Sequence, residues 1–207
     1  MIIAIVEIVF VLVFMECDIK LLESLVVMNI AVYLGANKGN DSSFEKAIIE
    51  LGTWIGSNNN TLIYGGSKCG LMGLIAQSTL DAGGKAIGVE PQCFMDDEIQ
   101  FNGLTKLIVT KDMSTRKNKM IELADAFIAF PGGTGTLEEI SEIMSKVSLN
   151  HLKAPCIVYN LNGFYDSLKD LLNIMIEKGL STDERQKDIF FVDNISEINN
   201  IINSFKY

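Results

Sequence analysis

Three groups of residues have types and spacings that can do chemistry on a phosphorylated ligand. The first, Pro131-Gly132-Gly133-Thr134-Gly135-Thr136-Leu137-Glu138-Glu139, joins an apolar run, Ala126 to Phe130, to a helical pattern of Leu137, Ile140, Ile143, Met144 and Val147. That order reads as strand, glycine turn and helix start. Glycines let the backbone turn sharply and come close to a ligand, while the free N–H groups and positive dipole end of the helix favour an anion such as phosphate. Glu138 and Glu139 fall in the first turn, where acids either compensate the helix dipole or face a bound substrate.

The second group, Gly65-Gly66-Ser67-Lys68-Cys69-Gly70-Leu71-Met72-Gly73, also follows a strand-like run and opens a helix. It either adds backbone donors to the same phosphate or serves tight packing of strand against helix. It is not a P-loop, because Leu71 and Met72 stand where Lys and Ser/Thr would hold terminal phosphates and magnesium. The third group, Met113-Ser114-Thr115-Arg116-Lys117-Asn118-Lys119-Met120, starts the helix that leads into the Ala126 strand. Arg116 then lies near the same sheet rim, where a guanidinium suits a phosphate or one of the acids; the competing assignment is a solvated basic face shared with Lys117 and Lys119. Gly35-Ala36-Asn37-Lys38-Gly39 is the weakest glycine cluster and reads equally as an ordinary turn.

Several chemistries are disfavoured. Gly133 and Gly135 supply two positions of a dinucleotide fingerprint, but the third is Glu138, and the strand after this helix ends at Asn160, not at an acid suited to a ribose diol. Cys17, Cys69, Cys93 and Cys156 are scattered and His151 is the only histidine, so neither a structural zinc site nor a histidine-based triad is expected, and no metal or cofactor is needed. The thiols read as reduced, which points to the cytoplasm. His151 fits the C-terminal end of a helix, where it would meet the negative dipole end. A net charge of −9 argues against nucleic acid as a partner, so local geometry must capture any phosphate.

The elements that position these residues alternate between short β-rich runs and helical patterns, the signature of a Rossmann-like α/β fold with a doubly wound parallel sheet covered on both faces. Strands are expected at Ile30 to Leu34, Thr61 to Tyr64, Ala86 to Val89, Lys106 to Val109, Ala126 to Phe130, Pro155 to Asn160 and near Ile189 to Val192. Helices are expected near Ser42 to Ile55, Leu71 to Ala82, Ser114 to Leu123, Thr136 to Leu149, Gly163 to Lys178 and Ile195 to Ser204. Glu90 to Thr105, with Asp96, Asp97 and Glu98, reads as a solvated loop. Ligands bind beyond the carboxyl ends of such strands, where every glycine cluster falls. A chain of 207 residues, 48% of them hydrophobic, fits one domain.

The apolar start, Ile2 to Met15, is interrupted by Glu7 and is shorter than a membrane span. No Lys or Arg precedes it, and Glu16 before Cys17 spoils a lipoprotein-type site. Residues 1–27 therefore read as an extension outside the core, with the domain over 28–207 and no stable membrane insertion.

Arg116-Lys117 followed by Pro131-Gly132-Gly133-x-Gly135-Thr136-x-x-Glu139 closely resembles the LOG family, the cytokinin riboside 5′-monophosphate phosphoribohydrolases often labelled lysine decarboxylases. The resemblance spans nearly all of 28–207, including Gly65-Gly66, Gly70-Leu71-Met72-Gly73 and Asn162-Gly163-Phe164-Tyr165. It implies hydrolysis of the N-glycosidic bond of a nucleoside 5′-monophosphate, with Arg116 and Glu139 catalytic. By the same resemblance, Glu138 binds ribose hydroxyls, while Gly66, Gly70, Gly73, Gly132, Gly133, Gly135 and Thr136 cradle the phosphate. Met72, Met113, Lys117 and Thr134 complete the implied binding set, and a homodimer is implied as well. Arg116 is expected to keep Glu139 ionised, and Glu142 to be structural or solvent-facing. The competing class is a non-catalytic nucleotide- or cofactor-binding protein on the same fold.

Overall fold

Residues 27–97 and 100–205 are described by the structure, a computed structural model. The strands are β1 (Asn29–Tyr33), β2 (Thr61–Tyr64), β3 (Lys85–Pro91), β4 (Lys106–Thr110), β5 (Ala126–Ala129), β6 (Cys156–Tyr159) and β7 (Ile189–Val192). All neighbours pair in parallel, in the order β4-β3-β2-β1-β5-β6-β7. Central strands buried on both faces must be apolar at consecutive positions, not alternately, which is why β2, β5 and β6 read as continuous runs such as Ala126-Phe127-Ile128-Ala129.

Each strand still divides its side chains between two cores. Ile30, Val32, Leu62 and Ile128 point to one face, where they meet Ile48 and Leu51 of α1 (Ser43–Ser57), Ile75 of α2 (Gly70–Asp81) and Ile198 of a C-terminal helix (Ile195–Ser204). Ala31, Tyr33, Ile63 and Phe127 point to the other, against Met120 of α3 (Met113–Leu123) and Ile140, Ile143 and Val147 of α4 (Thr134–Ser148). The remaining helices are α5 (Asp166–Glu177) and α6 (Asp183–Gln186), so the C-terminal one is α7. Chain direction through the sheet reverses between β1 and β5. That reversal opens a crevice beyond their carboxyl ends, which is where open α/β sheets bind ligands.

The expected strands and long helices all form, and two segments differ. The helix expected from Gly163 begins at Asp166, after a 3₁₀ turn at Leu161–Gly163 in which Asn162 has φ +54°. The expected solvated loop over 90–105 is a correction: β3 runs on to Pro91, a 3₁₀ turn covers Gln92–Asp97, and Glu90 is 1% exposed. Phe101 and Leu104 pack on the first core, Phe101 N–H donates to Gly66 O at 3.0 Å, and Ser67 pairs with Gln100 in an isolated antiparallel bridge. Among the described residues no α-helix lies between β3 and β4, and Phe101 and Leu104 are the crossover's apolar contribution to the first core. The short α6, capped by Thr182, was not legible from periodicity. His151 follows the end of α4, and its backbone N–H donates to Lys146 O at 2.9 Å. Of the expected extension over 1–27, residues 1–26 lie outside the described residues. Among the described residues no helix is long and apolar enough to cross a membrane.

Candidate active site

The glycine turn between β5 and α4 has the uncapped helix start that an anion site requires. Gly133 occupies the N-cap position of α4 with extended backbone and has no side chain to bond the first-turn N–H groups. A Cβ added at Gly132 would lie 2.3 Å from Thr136 Oγ1, whereas one at Gly133 or Gly135 would meet no atom of the described residues within 4 Å. Packing therefore accounts for Gly132, and it gives no reason for Gly133 or Gly135.

One helical turn into α4, Glu139 is 9% exposed and meets Arg116, itself 7% exposed. Arg116 Nη1 donates to Glu139 Oε1 at 2.6 Å, and Nε donates to Val89 O at 2.9 Å. Three elements fix this guanidinium. Helix α3 starts firmly because the Asp112 side chain accepts from Thr115 N–H at 2.7 Å; β3 supplies the carbonyl; and Gly65 admits the side chain, since a Cβ there would stand 2.8 Å from Arg116 Nη2. Burial raises the Glu139 carboxyl above its ordinary value, and Arg116 pulls it down without cancelling that effect. Desolvation is the larger influence and Arg116 opposes it, so the carboxyl is a stronger base than an exposed glutamate. Burial and the nearby Glu139 also push the Tyr33 phenol upward, so that hydroxyl stays neutral beneath the pair.

Glu138, about 100° around the helix from Glu139, takes a different partner. Lys117 Nζ contacts Glu138 Oε1 at 2.5 Å and Glu142 Oε2 at 3.4 Å, and Lys146 reaches Glu142 at 3.5 Å. Lys117 thus cross-links α3 to α4 and offsets the acids on the rim. Glu142 is partly exposed and ion-paired to both lysines.

A cleft of about 540 Å³ brings the two groups together. Met72, Met113, Arg116, Gly132 to Thr136, Glu138 and Glu139 all line it. Gly66, Gly70, Gly73 and Lys117 do not border it. Gly66 and Gly70 have φ of +88° and +52°, and a Cβ at Gly70 would fall 1.6 Å from Ala36 O; a Cβ at Gly73 would fall 2.1 Å from Lys68 O. These three shape the loop around the site. The cleft also takes in Asn37, Gly39, Asn40 and Phe44, together with Phe94 and Phe164. For the first of these the signal lay in the sequence, since Gly35 to Gly39 follows β1 as the other glycine clusters follow their strands. No group of three metal-ligating side chains occurs among the described residues.

The family model described as "Possible lysine decarboxylase" matches residues 72–202. Cytokinin riboside 5′-monophosphate phosphoribohydrolase LOG1 of Arabidopsis thaliana is 41% identical over 150 residues, 72% of this chain and 70% of its own. LOG4 of the same plant, a protein of the same description, is 38% identical over 158 residues, 76% of this chain and 74% of its own. The counterpart LOG of Oryza sativa subsp. japonica is 34% identical over 169 residues, 82% and 70% of the two chains. Among solved structures, the molybdenum cofactor binding protein from Rippkaea orientalis superposes with a TM-score of 0.64 at 23% identity, covering 87% of this chain and 98% of that one. The Moco carrier protein from Chlamydomonas reinhardtii does so at 0.64 and 19%, with coverage of 87% and 98%. At such identities the likeness is one of fold.

Proposed function

Because the chain belongs to the LOG family, described by the possible lysine decarboxylase model, we propose that it hydrolyses the N-glycosidic bond of a cytokinin riboside 5′-monophosphate, releasing free base and ribose 5-phosphate. The observation that carries the reading is the buried Arg116–Glu139 pair set one turn behind an uncapped glycine turn. In this assignment the 5′-phosphate lies on the N–H groups at Gly133 to Thr136, where the helix dipole and the backbone donors favour it. Glu138 bonds the ribose hydroxyls. The glycosidic bond breaks through an oxocarbenium-like sugar, whose positive charge a carboxylate stabilises. Glu139 does this, and it orients and deprotonates the attacking water, its raised proton affinity making it the better base. Arg116 holds that carboxylate in place.

A carrier on the same fold would need the phosphate seat; it would not need a buried cation and carboxylate beside it. We place the protein in the cytoplasm as a homodimer. The dimer is supported by α5, which has no fully buried residue and leaves Leu171 and Ile174 exposed; light scattering on the purified protein measures it. The activity is tested by incubating the protein with AMP and with isopentenyladenosine monophosphate and measuring free base. Release from at least one substrate is expected, with Glu139→Gln slowing it by about 10³-fold. Release from neither would overturn the reading.

A further inference from the structure

Phe94 and Met113 line the cleft from the β3–β4 side and belong to neither core, although they are 42% and 40% exposed. Phe44 and Phe164, on the opposite side, are held differently. They pack edge to face at 6.1 Å, and Phe44 also packs against the buried Phe130 at 6.2 Å. Among the described residues Phe94 makes no ring contact of this kind. Its backbone is nevertheless fixed: Phe94 O accepts from Gln100 Nε2 at 3.0 Å, and Gln100 is bridged to Ser67 of the loop after β2. The exposed Phe94 ring thus stands on a tethered backbone at a cleft that it shares with Arg116, Glu138 and Glu139. The polar groups of this cleft are Arg116, Glu138, Glu139 and the glycine turn, and the ribose phosphate is assigned to them.

We propose that Phe94, supported by Met113, is the residue that selects the base, covering an apolar N6 substituent and thereby favouring N6-isoprenoid nucleotides over AMP. The inference rests on the phosphoribohydrolase reading, and it places selectivity on the 3₁₀ turn after β3, outside the glycine motif. An apolar substituent that covers this ring removes surface from water, and such pockets discriminate by roughly 10- to 200-fold.

The test compares kcat/KM and binding constants for isopentenyladenosine monophosphate and AMP in the wild type, Phe94→Ala and Phe94→Leu, with melting temperatures as a check on folding. The wild type should prefer the isopentenyl nucleotide. Phe94→Ala should lose about 10-fold or more of kcat/KM on that substrate alone, and Phe94→Leu should restore most of it. Equal losses on both substrates, no loss on either, or a wild type indifferent to the substituent would each overturn the assignment. If the wild type releases base from neither nucleotide, the activity reading falls separately. The apolar seat then stands only if binding still favours the isopentenyl nucleotide and loses that preference in Phe94→Ala; without such a preference it falls too.

Discussion

The loop after β2 and the turn after β5 share one plan, strand then glycines then helix, and they put those glycines to opposite uses. In the loop, glycine is demanded by the protein itself: Gly70 is in the left-handed region, and a Cβ there or at Gly73 would run into a backbone oxygen. In the turn, Gly133 and Gly135 face no atom of the described residues that a Cβ would touch. The first set lets the chain pack closely and lets Arg116 approach past Gly65; the second keeps space open where the N–H groups of α4 point. A glycine with no internal reason to be glycine is the stronger indication of a ligand.

That contrast can be broken by substitution. The largest stability effect is expected for Gly70→Ala, which combines positive φ with a collision against Ala36 O. It should cost at least about 2 kcal/mol and lower Tm by ~4 °C or more in thermal unfolding. If Gly70→Ala unfolds like the wild type, the loop is not as tightly constrained as described. Gly133→Ala and Gly135→Ala should do the reverse, staying within about 0.5 kcal/mol of wild-type stability while weakening nucleotide binding or turnover by roughly 10-fold. Calorimetric titration beside a melting curve separates the two effects, and a Gly133→Ala protein that binds normally would remove the distinction between the regions.

The smallest effect concerns Glu90, under the loop, whose Oε2 has no hydrogen-bond partner among the described residues. Burial raises its carboxyl above the ordinary value of 4.5. The folded state therefore holds this proton more tightly than the unfolded chain, so the group's contribution is present below the unfolded value and is lost as pH rises through the folded one. Glu90→Gln should accordingly gain in Tm relative to wild type on going from about pH 4 to about pH 7. A Tm difference that is flat or shrinks over that range would contradict the assignment.

Much of this was legible in the sequence because parallel strands buried on both faces are continuous apolar runs, and glycine turns mark their carboxyl ends. Arg116 could be placed near Glu139 because α3 leads directly into β5. Less visible was everything set by contacts across the fold. The 90–105 segment carries acids that read as solvated, yet Glu90 is buried and Phe101 and Leu104 pack on the first core, through contacts with distant parts of the chain. Phe94 could not be assigned to the cleft from its neighbours in sequence, since its position depends on Gln100 and Ser67. Nor could the balance at Glu139 be read from a nearby arginine, because desolvation appears only once the pair is enclosed.

The crossover without an α-helix has a consequence for how such a protein diversifies. The 3₁₀ turn at Gln92–Asp97 lies between β3 and β4, and its described side chains, Gln92 to Phe94, belong to neither core cluster. Changes there leave the inherited scaffold and the reacting groups untouched, so substrate range can drift, or be redirected by a small library, without a search through the whole fold.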